Sequence, residues 1–309
     1  MSMEKVRNGL RPYPGISPRG GSMRIKSRLA FMPEEVDRLR NFFDSMGIEV
    51  EEGIMGIVYL YIDDERYPRL MDELSTMRIK PTEIKDKQFS EEELNSAEFF
   101  NMGPAGYWGY PQPEDERDAW QRASYDLSTA CPKCGYGAIQ NRPFLIRGEP
   151  KFGRNDILAL NFTYEFLVTD RLKKLIEDAS LTGVEFWPLL GYKKNNPVPG
   201  FSQLHVVSTL PPMSPNMEIV DVKLPEAHPD RCTCGKFARN PALDPVYGVS
   251  VPIRYERKSL RDAKDFNLTS EWFGLFDARP WRIVSRKVYQ LFSRNGIRRV
   301  AFEPVIIEE

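Results

Sequence analysis

The chain has 309 residues, 41% hydrophobic and 12% aromatic, enough to bury a sizeable core in one large domain or two modest ones. Its 43 lysines and arginines face 44 acids, a net charge of -1, which excludes a global field drawing it onto nucleic acid or membrane. The longest apolar-leaning run, Ile157 to Val168, is broken by Asn161, Thr163 and Glu165 and falls short of the ~20 residues of a membrane-spanning helix.

Residues 1–22 are polar, basic and rich in Gly and Pro, without the apolar centre of a secretory signal. They are expected to form a flexible tail, with Met23 as an alternative start. From Met23 the pattern changes. Arg24 to Phe31 has strand character, and Pro33 suits the first turn of a helix whose apolar positions are Val36, Leu39, Phe43 and Met46. Gly47 is a natural stop. Ile48 to Glu51 and Ile57 to Ile62 read as a hairpin around Gly53, followed by a helix carrying Leu70, Met71, Leu74 and Met77. Residues 23–89 are thus expected to be a small, ferredoxin-like βαββα unit.

Residues 90–124 read as a connector. Ser90 and Glu93 form a capping box at the start of a short helix, and an aromatic loop with Tyr107, Trp108 and Tyr110 follows. Residues 125–309 are expected to be a larger mixed α/β domain. Within it, Thr169 caps a helix bearing Leu172, Leu175 and Ile176, and Gly183 to Trp187 and Leu204 to Ser208 read as strands. Tyr192 to Gly200 is a turn-rich loop. Ser285 caps a helix that Asn295-Gly296 ends, and Val300 to Ile307 is the last strand. The fold class is α+β.

The four cysteines fall in two close pairs, Cys131/Cys134 and Cys232/Cys234, each followed by Gly. This is too sparse for a secreted disulfide scaffold, and the clustering points to a metal and a reducing, cytoplasmic compartment. Two residues between thiolates let a turn place both sulfurs on one ion. Together the pairs supply the four ligands of a closed, zinc-ribbon-like tetrahedral site, which is structural because no position is left for water or substrate. Unrelated thiols, disulfides and a redox dithiol at Cys131/Cys134 are the competing readings. His228, close before Cys232, would be a supporting donor.

Catalytic signatures are missing. The chain has two histidines, and His205 sits in an apolar strand, where it reads as structural. No Gly-x-Ser-x-Gly elbow, phosphate loop, dinucleotide fingerprint or His-Glu-x-x-His occurs. The basic spots Lys173-Lys174, Lys193-Lys194, Arg254 to Arg261 and Arg294 to Arg299 are candidates for nucleic-acid contact or ordinary solvated faces. Tyr107, Trp108, Tyr110 and Tyr192 are candidate partner-binding residues, since Trp and Tyr are common hot spots.

From about residue 125 to the end, the chain resembles the double-CXXCG family of myxobacterial-type immunity proteins in polymorphic toxin systems. The resemblance is carried by Cys131-Pro132-Lys133-Cys134-Gly135 with Gly137, by Arg142-Pro143-Phe144, by Phe166 to Leu172 and by Thr182 to Phe186. The second pair with Gly235, Trp272-Phe273-Gly274, Ile283-Val284-Ser285 and Phe302 to Val305 complete it. The second pair here is Cys-x-Cys-Gly rather than Cys-x-x-Cys-Gly, and residues 23–89 stand outside the resemblance. The resemblance implies a non-enzymatic protein that neutralises a cognate toxin by direct contact. A zinc-ribbon nucleic-acid-binding protein and an enzyme of unknown class are the alternatives.

Overall fold

The computed structural model describes residues 23–114, 119–221, 234, 239–244, 248–274 and 278–309. The expected tail, 1–22, and residues 115–118 of the expected connector lie outside the described residues. The fold is mixed α+β, and the chain divides into two compact units: Met1–Ser96 with Leu243–Val251, and Ala97–Ala242 with Pro252–Glu309.

In the first unit, Arg24–Phe31 alternates strictly, burying Ile25, Ser27, Leu29 and Phe31 and turning Arg24, Lys26 and Arg28 the other way. It is the central strand of a three-stranded antiparallel sheet, between Gly56–Tyr61 and Thr82–Gln88. The helix Pro33–Met46 begins with proline in its first turn, and the Glu35 carboxylate accepts the Met32 N–H at 2.9 Å. It ends at Gly47, whose φ of 57° is the left-handed conformation that glycine adopts without strain. The second helix, Arg66–Met77, starts where the Asp64 carboxylate accepts the Arg66 N–H at 2.9 Å and pairs with its guanidinium at 2.8 Å. Both helices cover one face of the sheet. Val36, Leu39 and Phe43 from the first and Leu70 and Leu74 from the second meet Leu29, Phe31, Val58 and Leu60 in one core.

The expected hairpin at Ile48–Ile62 is reduced to a single bridge, in which Glu51 and Ile57 exchange both backbone hydrogen bonds. The order is therefore strand, helix, strand, helix, strand. Glu49, Glu51 and Glu52 give this segment too little apolar surface to lie as a strand on the core. The capping box forms as expected, Ser90 Oγ accepting the Glu93 N–H at 3.2 Å and the Glu93 carboxylate accepting the Ser90 N–H at 2.8 Å. Within the same unit Val249 packs on Met23 and Ile25.

The second unit contains two six-stranded sheets. In the first the order is Pro111–Gln112, Leu145–Ile146, Val184–Gly191, Pro197–Val206, Phe166–Thr169 and Ile157–Ala159. In the second it is Ile219–Asp221, Arg239–Pro241, Phe266–Phe273, Arg279–Ser285, Phe99–Pro104 and Val300–Pro304. Trp120, Tyr125, Phe144, Phe152, Leu167 and Leu189 belong to one core cluster. A buried ion pair, Arg282 with Glu165, links a strand of one sheet to the residue preceding a strand of the other. The helix Asp170–Asp178 is capped as expected, Thr169 Oγ1 accepting the Leu172 N–H. Ser285 precedes the helix Arg286–Arg294 but does not cap it with its side chain. Its hydroxyl donates to the Asp265 carboxylate at 2.8 Å and its backbone N–H donates to the Asp265 carbonyl at 2.9 Å, so both of its donors are directed to Asp265.

Candidate metal centre and exposed aromatic surface

The Cys131-Pro132-Lys133-Cys134-Gly135 segment forms a tight turn. The Gly135 N–H donates to the Cys131 carbonyl at 2.9 Å, and the Cys131 N–H donates to the Tyr136 carbonyl at 2.8 Å. Gly135 has φ 71° and Gly137 φ 90°, backbone conformations that glycine adopts without steric cost. A Cβ on Gly137 would meet the Thr129 carbonyl oxygen at 3.0 Å, so the turn needs glycine there for space as well as conformation. The turn is anchored to the second sheet. The Ala278 N–H donates to the Cys134 carbonyl at 2.9 Å, and the Tyr136 ring lies 5.1 Å from that of Trp272. No helix starts at this turn, which removes the setting a thioredoxin-like redox dithiol uses.

Onto this turn the fold brings Cys234. The thiols of Cys131, Cys134 and Cys234 lie within 4.8 Å of one another, with Cys134 Sγ and Cys234 Sγ 3.9 Å apart. Tetrahedral coordination with metal–sulfur bonds of about 2.3 Å sets sulfurs about 3.8 Å apart, whereas a disulfide holds them at about 2.05 Å. The Cys134/Cys234 separation has the length of an edge of a metal-centred tetrahedron and is far too long for a disulfide. Cys134 is buried, Cys131 half-buried and Cys234 exposed, so the cluster could hold one metal ion at the edge of the unit. Cys232, the expected fourth ligand, and His228 lie outside the described residues.

His205 behaves as a packed residue. It stands opposite Glu185 across two antiparallel strands, and its ring stacks on Trp187 with centroids 3.7 Å apart. Burial pushes its pKa below the ordinary histidine value, against the opposing pull of Glu165 and Glu185.

The expected partner-binding residues separate. Tyr107 and Tyr110 are exposed, whereas Trp108 packs against the core around Trp120 and Phe144, and Tyr192 is half-buried. Two rings that sequence reading missed join the exposed pair. Phe162, 64% exposed, lies 5.3 Å from Tyr110, and Tyr164, 49% exposed, lies 6.0 Å from Tyr107. Both take left-handed backbone, φ 66° and 56°, which is unfavourable for bulky residues. The buried Thr163 between them holds this geometry, its hydroxyl donating to the Leu160 carbonyl and accepting the Glu165 N–H. Asn161 clasps the neighbouring loop, its N–H and its side-chain amide both donating to the Gly109 carbonyl. The result is a fixed platform of four exposed rings. In the sequence these residues stand only as part of the apolar-leaning run Ile157 to Val168. Its turn is invisible because Phe and Tyr rarely take positive φ.

Two of the four basic spots are paired with acids, whereas Lys193-Lys194 and Arg294 to Arg299 form no ion pair among the described residues. Lys173 and Lys174 pair with Glu177 and Asp178 one turn on, Arg254 pairs with Glu308, and Arg257 pairs with Glu98 and Glu309. Among the described residues, no helix is long and apolar enough to cross a membrane. Comparison with protein-family models gives no match, and comparison with curated proteins gives no relative.

Proposed function

We propose that this chain is a non-enzymatic, zinc-stabilised binding protein of the immunity type, which blocks a cognate toxin by direct contact in the cytoplasm. The observation that carries the metal half is the convergence of the Cys131, Cys134 and Cys234 thiols within 4.8 Å. Zinc suits an all-thiolate donor set, and Cys232 would close the tetrahedron, leaving no open position for catalysis. The partner half rests on the four-ring platform at Tyr107, Tyr110, Phe162 and Tyr164, since rigid exposed aromatics anchor protein interfaces at small entropic cost. The double cysteine pair with its flanking glycines supports the immunity reading through the family it resembles. The acid pairing of Lys173, Lys174 and Arg254 weighs against nucleic-acid binding at those two basic spots.

Two measurements test the reading. Elemental analysis of the purified chain should find one zinc per molecule, lost in the Cys131→Ser, Cys232→Ser variant. Co-expression with the product of the adjacent gene should protect growth, and Tyr107→Ala, Phe162→Ala should abolish protection while zinc stays bound. A chain without zinc overturns the metal assignment. Protection that survives loss of both rings overturns the assigned surface, and absence of any protection overturns the immunity role.

A further inference from the structure

The first unit uses only one face of its sheet for the core. The opposite face carries the outward residues of all three strands, and register places them in rows. Arg24, Lys26 and Arg28 project from the central strand, about 6.8 Å apart from one to the next at the rise of an antiparallel strand. Beside them on one edge strand, Lys26 pairs with Tyr61 and Arg28 with Tyr59, and on the other edge Arg28 pairs with Ile84. Tyr59 is 39% exposed and Ile84 42%.

The charges on this face are not self-cancelling. Arg24 is engaged by Asp63 at 2.9 Å and by the Tyr61 ring, its guanidinium carbon 3.7 Å from the centroid. Lys26 rests over Tyr59 at 4.8 Å, and neither Lys26 nor Arg28 forms an ion pair among the described residues, although Asp86 stands opposite Lys26 in register. A row of cations flanked by a row of rings offers two different things to a ligand at once: neutralisation along a line and flat apolar faces beside it.

From this geometry we infer that the helix-free sheet face of the first unit binds single-stranded nucleic acid, its phosphates following Lys26 and Arg28 and a base stacking on the exposed Tyr59. Unpaired strands supply anionic charge on one side and aromatic faces on the other, and stacking on Tyr is tolerant of sequence. A duplex fits poorly, because its bases are already stacked. An acidic peptide would satisfy the cations but leave the Tyr59 ring without a role. This face belongs to the first unit, whereas the cysteine cluster and the four exposed rings belong to the second, and the inference rests on neither.

The test is fluorescence anisotropy on the full chain with three probes: a labelled 12-nucleotide oligouridylate, the same length of duplex, and a poly-glutamate peptide. The oligouridylate should bind with an affinity that falls steeply with salt, and the other two should bind more weakly. Tyr59→Ala and the double variant Lys26→Ala, Arg28→Ala should each weaken binding at least about fivefold, the lower range for loss of a stacking ring. Tyr59→Phe, which keeps the ring, should stay within about twofold of the parent on the same scale, and Lys193→Ala, Lys194→Ala in the second unit should change nothing. Far-UV circular dichroism checks folding. Should the double variant unfold, Arg28→Gln removes one charge with little loss of length and should still weaken binding. Absence of oligouridylate binding, equal binding by parent and variants, or poly-glutamate binding as tight as the oligonucleotide each overturns the assignment.

Discussion

Cys134 and Cys234 are 100 residues apart in the chain and bring their sulfurs to 3.9 Å. A link between segments so distant removes much freedom from the unfolded chain, so the ion that would sit there contributes folding stability as well as local order. All five tryptophans, at 108, 120, 187, 272 and 281, belong to the second unit, so tryptophan fluorescence reports its unfolding alone. Chelation should lower the thermal midpoint of that signal by 10 °C or more, roughly what loss of a few kcal/mol does in a domain this size. Cys134→Ser, at the buried ligand, should cost more than Cys234→Ser, at the exposed one. An unchanged midpoint after complete chelation means that the thiol cluster does not carry a structural ion.

Asp265 is the second point at which distant segments are tied. Its carboxylate accepts the Thr182 N–H and hydroxyl, both at 3.0 Å, and the Ser285 hydroxyl at 2.8 Å, while its own N–H donates to the Thr182 hydroxyl at 3.2 Å. Gly183 follows at φ 85°, where an added Cβ would lie 2.1 Å from the Phe266 carbonyl oxygen, so this close approach admits only glycine. Burial works to raise the Asp265 pKa, but the Thr182 and Ser285 donors outweigh it and hold it below the usual carboxylate value. A depressed folded pKa means that stability is present above about pH 3.9, the unfolded value, and is lost as pH falls through the folded one. Asp265→Ala should cost about 3 kcal/mol at neutral pH by urea denaturation, the sum of lost charged hydrogen bonds and orphaned donors. Below the folded pKa the difference between parent and variant should shrink. A cost that stays constant down to the acid transition would assign the effect to packing instead.

The capped helices and the cysteine turn were legible because each depends on a few adjacent residues. Pro33 to Gly47, the Ser90/Glu93 box, the Thr169 cap and the Cys131-to-Gly137 turn all follow from local chemistry, and the structure reproduces them. What the sequence hid depends on contacts made across the fold. Ser285 reads as a helix cap, but its side chain makes no cap bond and its hydroxyl donates to Asp265, 20 residues earlier. Ile48 to Glu51 reads as a strand until the core turns out to have room only for Ile48 and a flank of Val50. The turn at Phe162 and Tyr164 leaves no mark in their residue types, because their left-handed backbone is held by the Thr163 bonds to Leu160 and Glu165 together with the Asn161 bonds to Gly109, 52 residues earlier.

His205 gives a pH dependence of a different origin. Burial lowers its pKa, so the unfolded chain takes up a proton at a pH where the folded chain resists it. The stabilisation is complete above about pH 6.5, the unfolded value, and is lost as pH falls through the folded pKa. The chain has only one other histidine, so this range is sparsely populated by titrating groups. The urea midpoint of the tryptophan signal should fall between pH 7.5 and pH 5.5 in the parent and fall less in His205→Phe, which keeps a ring against Trp187. Equal slopes in the two proteins would place the pH sensitivity elsewhere.

Phe162 sets stability against binding. An L residue in left-handed backbone costs about 1–2 kcal/mol, and a ring 64% exposed recovers little of that by burial. Glycine adopts φ near 66° without steric cost but gives up about 0.4–1 kcal/mol through the greater freedom of the unfolded chain. Phe162→Gly should therefore leave the second unit as stable as before or up to about 1 kcal/mol more stable. Growth protection in the co-expression test should nevertheless be lost, because the ring beside Tyr110 is gone. This pairing separates a surface kept for binding from one kept for folding. A variant that is both less stable and less protective would mean that Phe162 is part of the packing that holds the loop, and the platform would then owe its shape to Phe162 as well as to Asn161 and Thr163.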